Sequence, residues 1–219
     1  MKKNDYLKFT DFEIIQDERL FHVNSDTAAL GMFLDNLKGE SVLDIGTNNG
    51  ALLLYASLKG ASRFCGIDII PEALEIAKKN LSRYLDDFEL IETRVQDFKH
   101  EQFDAIICNP PFFEMNNPRV SEYYKKAMFE ESLKIEELFD SYRRLIKDNG
   151  EVYMIYPADR LCTLLSAAEK SKFKAMKLRF IYDSKNEFAS RVLVKFKRGK
   201  LTKTRVLKPV FIHDGELKM

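Results

Sequence analysis

The sequence predicts a Rossmann-like α/β fold: a mostly parallel sheet covered on both faces, with antiparallel strands toward its end. Three observations carry that prediction. Short apolar runs alternate with helix-patterned segments through residue 170, as crossover helices between parallel strands require. The first run ends in the glycine-bearing turn "DIGTNNG", Asp44 to Gly50. Two later runs, "FKAMKLRFIY" and "RVLVKFKRG", alternate strictly enough to pair as antiparallel strands.

Taken in order, "DTAALGMFLDNL" has helical spacing, with Asp26 as its expected cap. "SVLDIG" (41–46) reads as a buried strand, and "GALLLYASLKG" (50–60) as a helix closed by Gly60. "RFCGIDI" (63–69) is a second strand. "PEALEIAKKNLSRYL" (71–85) is a helix with proline in its first turn. "FELIETR" and "FDAIIC" (103–108) are the third and fourth strands, and "EVYMIYP" the fifth. Residues 114–132 are polar and lack clear periodicity, which predicts a loop. "IEELFDSYRRLIKDNG" predicts a helix stopped by Asn149-Gly150, and "DRLCTLLSAAEKS" another. "TRVLKPVFIHD" predicts a final extended piece.

Bulk properties exclude several classes. The longest apolar run, "ALLLYASL", is far too short to cross a bilayer, and no apolar core follows the lysines of the opening "MKKNDYLKFT". No membrane association is expected. Cys65, Cys108 and Cys162 are odd in number and widely spaced, without a CxxC or Cys/His pattern. Free thiols, a cytoplasmic location and no bound metal are the expectation. The net charge of +1 hides a division. Residues 1–169 carry 20 basic against 30 acidic side chains, whereas residues 170–208 carry 14 against 2. A basic stretch of that size suits a polyanion, and Arg191, Lys195, Lys197, Arg198, Lys200, Lys203 and Arg205 are its candidate contacts.

In doubly wound folds ligands sit outside the carboxyl ends of the strands, so the residues there carry the functional reading. Gly46 and Gly50 let the backbone approach a ligand, but the spacing does not match the dinucleotide fingerprint. Asp68 ends the second strand, where a carboxylate can accept both hydroxyls of a ribose. Asp97 and Phe98, in "VQDF", could meet an adenine amino group and its ring. An aspartate at a strand end is more often a cap or turn former. Three in succession beside a glycine turn suit a nucleoside with a charged tail. "NPPF" (109–112) then ends the fourth strand. The Asn109 side-chain oxygen and the Pro110 carbonyl can each accept an N–H from a planar amine. Pro110 and Pro111 fix the turn, and Phe112 offers a stacking face.

These residues resemble the class I S-adenosylmethionine-dependent methyltransferases that carry an NPPY/NPPF motif. "VLDIGTNNG", "GIDI" and "VQDF" are similar to their three cofactor motifs, and the resemblance implies a seven-stranded sheet with an antiparallel edge strand. It implies that Asp44, Gly46, Asn48 and Gly50 surround the methionine portion of the cofactor, that Asp68 with Ile69 meets its ribose, and that Asp97 with Phe98 meets its adenine. It also assigns the methyl-transfer step to Asn109, Pro110, Pro111 and Phe112. Asn48 departs from the family's frequent glycine, though asparagine tolerates left-handed backbone angles.

"IIQDERLFHVNSDTAALGMFL", "CNPPFF", "ASRVLVKFKRG" and "KPVFIHD" together resemble the bacterial valine-tRNA adenosine-37 N6-methyltransferases, nearly end to end. That implies tRNA as partner, residues 1–38 as a cap with Asp26 over the cofactor, 39–200 as the catalytic core and 201–219 as an extended tail; the sequence leaves the oligomeric state open, with a monomer as the default. A second departure is Ala127-Met128-Phe129-Glu130, where relatives often read Ala-Arg-His-Glu. Three rivals stand beside this reading: a ribosomal-RNA guanine N2-methyltransferase, a release-factor glutamine N5-methyltransferase, and a non-catalytic cofactor-binding RNA module.

Overall fold

A computed structural model describes residues 2–110, 134–183, 188–199, 203–213 and 216–218. Pro111, Phe112, Lys200 and the segment 127–130 fall outside these residues. The N-terminal segment opens with a hairpin that the sequence pattern did not announce: β1 (Lys2–Tyr6) and β2 (Glu13–Asp17) pair antiparallel, with Asp5 opposite Ile14. Helix α1 (Ser25–Phe33) follows. Its cap is Asn24, whose side chain accepts the Thr27 N–H at 3.1 Å, rather than Asp26, which sits inside the first turn.

The core alternates as expected: β3 (Ser41–Ile45), α2 (Ala51–Leu58), β4 (Arg63–Asp68), α3 (Pro71–Leu81), β5 (Glu89–Glu92), β6 (Phe103–Cys108), α4 (Ile135–Leu145), β7 (Ile146–Pro157), α5 (Leu161–Lys170), β8 (Phe173–Asp183) and β9 (Arg191–Arg198). The tail adds β10 (Arg205–Val206), β11 (Val210–His213) and β12 (Glu216–Lys218). Helix α4 ends at Leu145 instead of reaching Asn149-Gly150. Ile146 already pairs with Phe103, and the register then shifts between Phe103 and Ala105. A Cβ at Gly150 would lie 2.8 Å from the Asp104 carbonyl oxygen, so this glycine admits an irregular strand rather than closing a helix.

The main sheet has ten strands in the order β12-β11-β8-β9-β7-β6-β3-β4-β5, with β10 also on β8. The expected seven are there as β5-β4-β3-β6-β7-β9-β8. The antiparallel strand, however, is interior: β9 runs against both β7 and β8 and is largely buried. Strand order reverses between β3 and β6, which leaves a crevice at their carboxyl ends. One core covers each face, and side chains of β3 alternate between them, Val42 toward α1 and α2 and Leu43 toward α4 and α5. No helix among the described residues is long and apolar enough to cross a membrane.

Candidate active site at the sheet crevice

At the reversal of strand order lies a cleft of about 250 Å³. Its floor is the turn after β3. Gly46 and Gly50 adopt φ of +72° and +81°, and Asn48 between them adopts +50°. Asparagine does fill the left-handed position here. Its backbone N–H donates to Asp68 Oδ2 at 2.8 Å, and its Nδ2 donates to the Phe21 carbonyl at 2.6 Å. A glycine would supply the backbone angle but not the second bond, which ties the N-terminal segment to the turn.

Asp68 accepts the Asn48 N–H on one oxygen and the Ile70 N–H on the other, at 3.0 Å. A carboxylate at this strand end, beside the glycine turn, is of the type that accepts ribose hydroxyls. Asp44 is fully buried beneath the turn. Thr47 Oγ1 donates to its Oδ2 at 2.9 Å, while its Oδ1 has no partner among the described residues. Asn48 Oδ1 is likewise buried and unpartnered. Unpaired buried acceptors are rare and costly. Asn48 lines the cleft, whereas Asp44, expected beside the methionine portion, lies beneath the lining. The negative end the turn presents suits a ligand that brings donors and positive charge, as a methionine ammonium and a sulfonium do. The residues present therefore fit S-adenosylmethionine.

Burial, with Asp68 nearby, pushes the Asp44 carboxyl up from 3.8 to about 7. Asp26 is also raised, chiefly by burial and partly offset by Arg191. Between pH 4 and 7 the folded chain thus binds protons that the unfolded chain has released, so its stability falls as pH rises through that window. Carboxyls lowered by ion pairs, such as Asp17 and Asp104, act only below this range. Thermal unfolding of the ligand-free protein should shift downward from pH 5 to pH 8, and Asp44→Asn should flatten most of that slope. A slope unchanged in Asp44→Asn would place its origin elsewhere.

The remaining walls come from four places. Phe21, His22, Val23, Asn24, Asp26 and Thr27 of the N-terminal segment line one side. Ile69 and Ile70 line a second, and Thr93, Arg94, Val95 and Gln96 after β5 a third. Cys108, Asn109 and Pro110 close the end of β6. Arg191, expected on an RNA-facing surface, instead enters the cleft from β9 and pairs with Asp26 at 3.3 Å.

Two expectations are corrected, those for Asp97 with Phe98 and for Lys195, while four of the other basic candidates are placed away from the cleft. Asp97 stands 72% exposed beside Arg94 and does not line the cleft, and Phe98 is buried against His100. The cause is a helical turn in which the Asp97 and Phe98 N–H groups both donate to the Arg94 carbonyl, carrying residues 97 and 98 away from the wall. Lys195 is only 14% exposed, bonded to Asp35 and Glu151 at 2.8 Å each, and is spent on structure. Because β9 is antiparallel, Arg191 lies opposite Pro157 at the cleft edge while Lys197 lies opposite Glu151 at the far end of the sheet. Lys197 and Arg198 are thus separated from the cleft by about 20 Å of strand. Lys203 and Arg205 are exposed, and Arg205 pairs near mid-β8, opposite Lys177. None of the four lines the cleft.

Asn80 was not anticipated. It is fully buried on α3, where its Oδ1 accepts the Ile15 N–H at 2.7 Å and its Nδ2 donates to the Ile15 and Asn49 carbonyls at 3.1 and 2.9 Å. One amide therefore joins the N-terminal hairpin, α3 and the ligand turn. Its only signal in the sequence is a polar residue on the apolar stripe Ala73, Ile76, Ala77, Leu81.

Comparison with known proteins places the arrangement. A family described as a methyltransferase domain matches residues 36–203. A Phocaeicola vulgatus protein named tRNA1(Val) (adenine(37)-N6)-methyltransferase is 30% identical, over 89% of this chain and 84% of its own. A Dyadobacter fermentans protein of the same name is 28% identical, over 99% and 92%. Among solved structures, a ribosomal protein L11 methylase from Lactobacillus delbrueckii subsp. bulgaricus superposes with a TM-score of 0.60 at 20% identity, over 83% of this chain and 82% of that one. A T. thermophilus 16S rRNA N2 methyltransferase in complex with AdoMet and guanosine gives 0.66 at 14% identity, over 91% and 50%. At such identity these structures share the fold alone.

Proposed function

The chain belongs to the methyltransferase domain family and, within it, to the tRNA1(Val) (adenine(37)-N6)-methyltransferases, and we propose that it methylates N6 of adenosine 37 in valine tRNA. The observation that carries this reading is the convergence on one cleft of Asp68, the Gly46–Gly50 turn and the Asn109–Pro110 strand end. S-adenosylmethionine, when bound, supplies an electrophilic methyl group on a sulfonium. Asp68 and the turn hold its ribose and amino-acid portions, and Asp26 with Arg191 closes the side formed by α1. The Asn109 side-chain oxygen and the Pro110 carbonyl accept from the adenine amino group, which orients its lone pair toward the cleft. Such positioning supplies most of the rate gain, because the fixed acceptors need no reorganisation. The excess proton leaves the nitrogen for solvent.

An anticodon-loop adenosine is already single-stranded, so splaying it into the cleft costs little. Purified protein, labelled S-adenosylmethionine and unmodified valine tRNA should yield N6-methyladenosine on nucleoside digestion and mass spectrometry. Label in ribosomal RNA or a release factor instead would retain methyl transfer and overturn the substrate. Cofactor binding without transfer to any of these would favour the non-catalytic module.

The tRNA body is expected over the cleft edge rather than the far end of β9. Replacing Lys197 and Arg198 together by Ala should leave the salt dependence of tRNA binding unchanged. A slope reduced by about 2 would mean that both contact phosphate.

A further inference from the structure

We propose that Cys65, Glu89 and His100 form a binding site for a zinc-class divalent ion, outside the cleft. Cys65 on β4 and Glu89 on β5 are direct register partners, so both project from the same face of the sheet. His100 reaches that face from the segment between β5 and β6, its ring stacked between Phe98 (5.4 Å) and Phe103 (5.0 Å). The thiol sulfur, a carboxylate oxygen and a ring nitrogen all lie within 4.8 Å of one another. None of the three residues lines the cleft.

The contacts of His100 are compatible with a cation in one tautomer. Its Nδ1 is 3.3 Å from the Glu101 carbonyl oxygen, and its Nε2 is 3.3 Å from Glu89 Oε2. In the tautomer that donates Nδ1–H to Glu101, the Nε2 lone pair faces a carboxylate oxygen, and two acceptors face each other with a thiol beside them. That arrangement of a backbone carbonyl behind the far nitrogen is how metal-bound histidines are commonly oriented. With metal–ligand bonds of 2.0–2.1 Å, a tetrahedral ion holds its nitrogen and oxygen ligands about 3.3 Å apart, the separation already present. The sulfur would close to about 3.5 Å of each, within reach of a side-chain rotation. A thiolate and an imidazole select zinc-like ions over magnesium or calcium, and the exposed side leaves the fourth position to water. On capture the S–H bond breaks, its proton leaves to solvent and a sulfur–metal bond forms, with no change of oxidation state.

The ion would pin the segment 93–102 to β4 and β5, and Thr93–Gln96 of that segment wall the cleft. Sequence spacing hid the site because its three ligands come from separate elements brought together only by sheet register.

The test uses the untagged, chelator-stripped full chain. Zinc affinity is measured by competition with a chromophoric chelator, and cobalt(II) is added to read thiolate ligation in the near-ultraviolet. One equivalent is expected, with a thiolate band that Cys65→Ser abolishes and Cys162→Ser leaves intact. His100→Ala and Glu89→Gln should each weaken zinc binding by at least the roughly tenfold that even outer-sphere changes cost. These two partly exposed positions decide the matter if Cys65→Ser fails to fold. Absence of stoichiometric binding would leave a plain His–Glu contact, and overturn the site. A thiolate band that survives Cys65→Ser, or an affinity unmoved by His100→Ala and Glu89→Gln, would overturn it equally.

Discussion

Asn109→Ala is expected to lower kcat for adenine methylation by about 100- to 1000-fold, the range lost when one preorganised polar contact to a reacting group is removed. Cofactor affinity should stay close to that of the unsubstituted chain. The expectation of such a split rests on where Asn109 sits. It follows Cys108 at the end of β6, half-buried on the cleft wall, and makes no side-chain hydrogen bond to any described residue. An amide that ties down no described neighbour is not needed to hold the described fold, so its loss is expected to fall on the ligand it meets. The ribose and amino-acid contacts expected of Asp68 and the Gly46–Gly50 turn lie on β4 and after β3, and they do not pass through Asn109. Titration calorimetry with S-adenosylmethionine and single-turnover methylation of tRNA measure the two effects separately. A parallel fall in cofactor affinity and rate would make Asn109 a structural residue of the cleft and remove it from the proposed chemistry. Restored rate in Asn109→Asp would support its part as an acceptor.

Much of this site was legible before any coordinates, for a physical reason. The turn after β3 and the acid at the end of β4 are local features: a left-handed backbone, a strand end and a helix start are set by adjacent residues. The glycine positions, Asn48 and Asp68 accordingly fall where the sequence put them. Errors arose where the answer depended on long-range geometry. Asp68 is the last residue of its strand, but Asp97 lies five residues past the end of β5, where one helical turn rotates it out of the cleft. Charge counting grouped Arg191 with Lys195, Lys197 and Arg198. The antiparallel direction of β9 then splits that group, sending Arg191 to the cleft and Lys197 to the opposite end. Lys195 reads as surface charge until Asp35 and Glu151, from α1's exit and β7, are seen to surround it. The hairpin β1–β2 was invisible because "EIIQD" offers too short an alternation to declare a strand, and its pairing with residues 2–6 supplies what the pattern lacks.

Asn80→Leu is the second large effect, and it tests whether the N-terminal segment and the ligand turn are one unit. Leucine fits the apolar stripe of α3 and is a better helix former than asparagine, so helix propensity favours the variant. Against this, the part-buried Ile15 N–H and carbonyl and the buried Asn49 carbonyl all lose the partner that Asn80 provides. An unsatisfied buried group costs about 1–3 kcal/mol, which applies in full to the Asn49 carbonyl and in part to the two Ile15 groups. Together these losses predict destabilisation of about 2–4 kcal/mol, large for a single substitution. The damage should also be directional. Residues Phe21–Thr27 line the cleft, and Asn48 Nδ2 holds the Phe21 carbonyl, so releasing β2 from α3 loosens a wall of the ligand site. Chemical denaturation should give the lost stability. Limited proteolysis should show earlier cleavage before residue 25, and S-adenosylmethionine should bind more weakly and slow that cleavage. If stability falls while cofactor affinity and N-terminal protection hold, Asn80 serves only to close α3 against the hairpin. The wall formed by residues 21–27 would then be positioned through Asn48, the Asp26–Arg191 pair and the bond from the Val23 N–H to Gln16 Oε1, without help from Asn80.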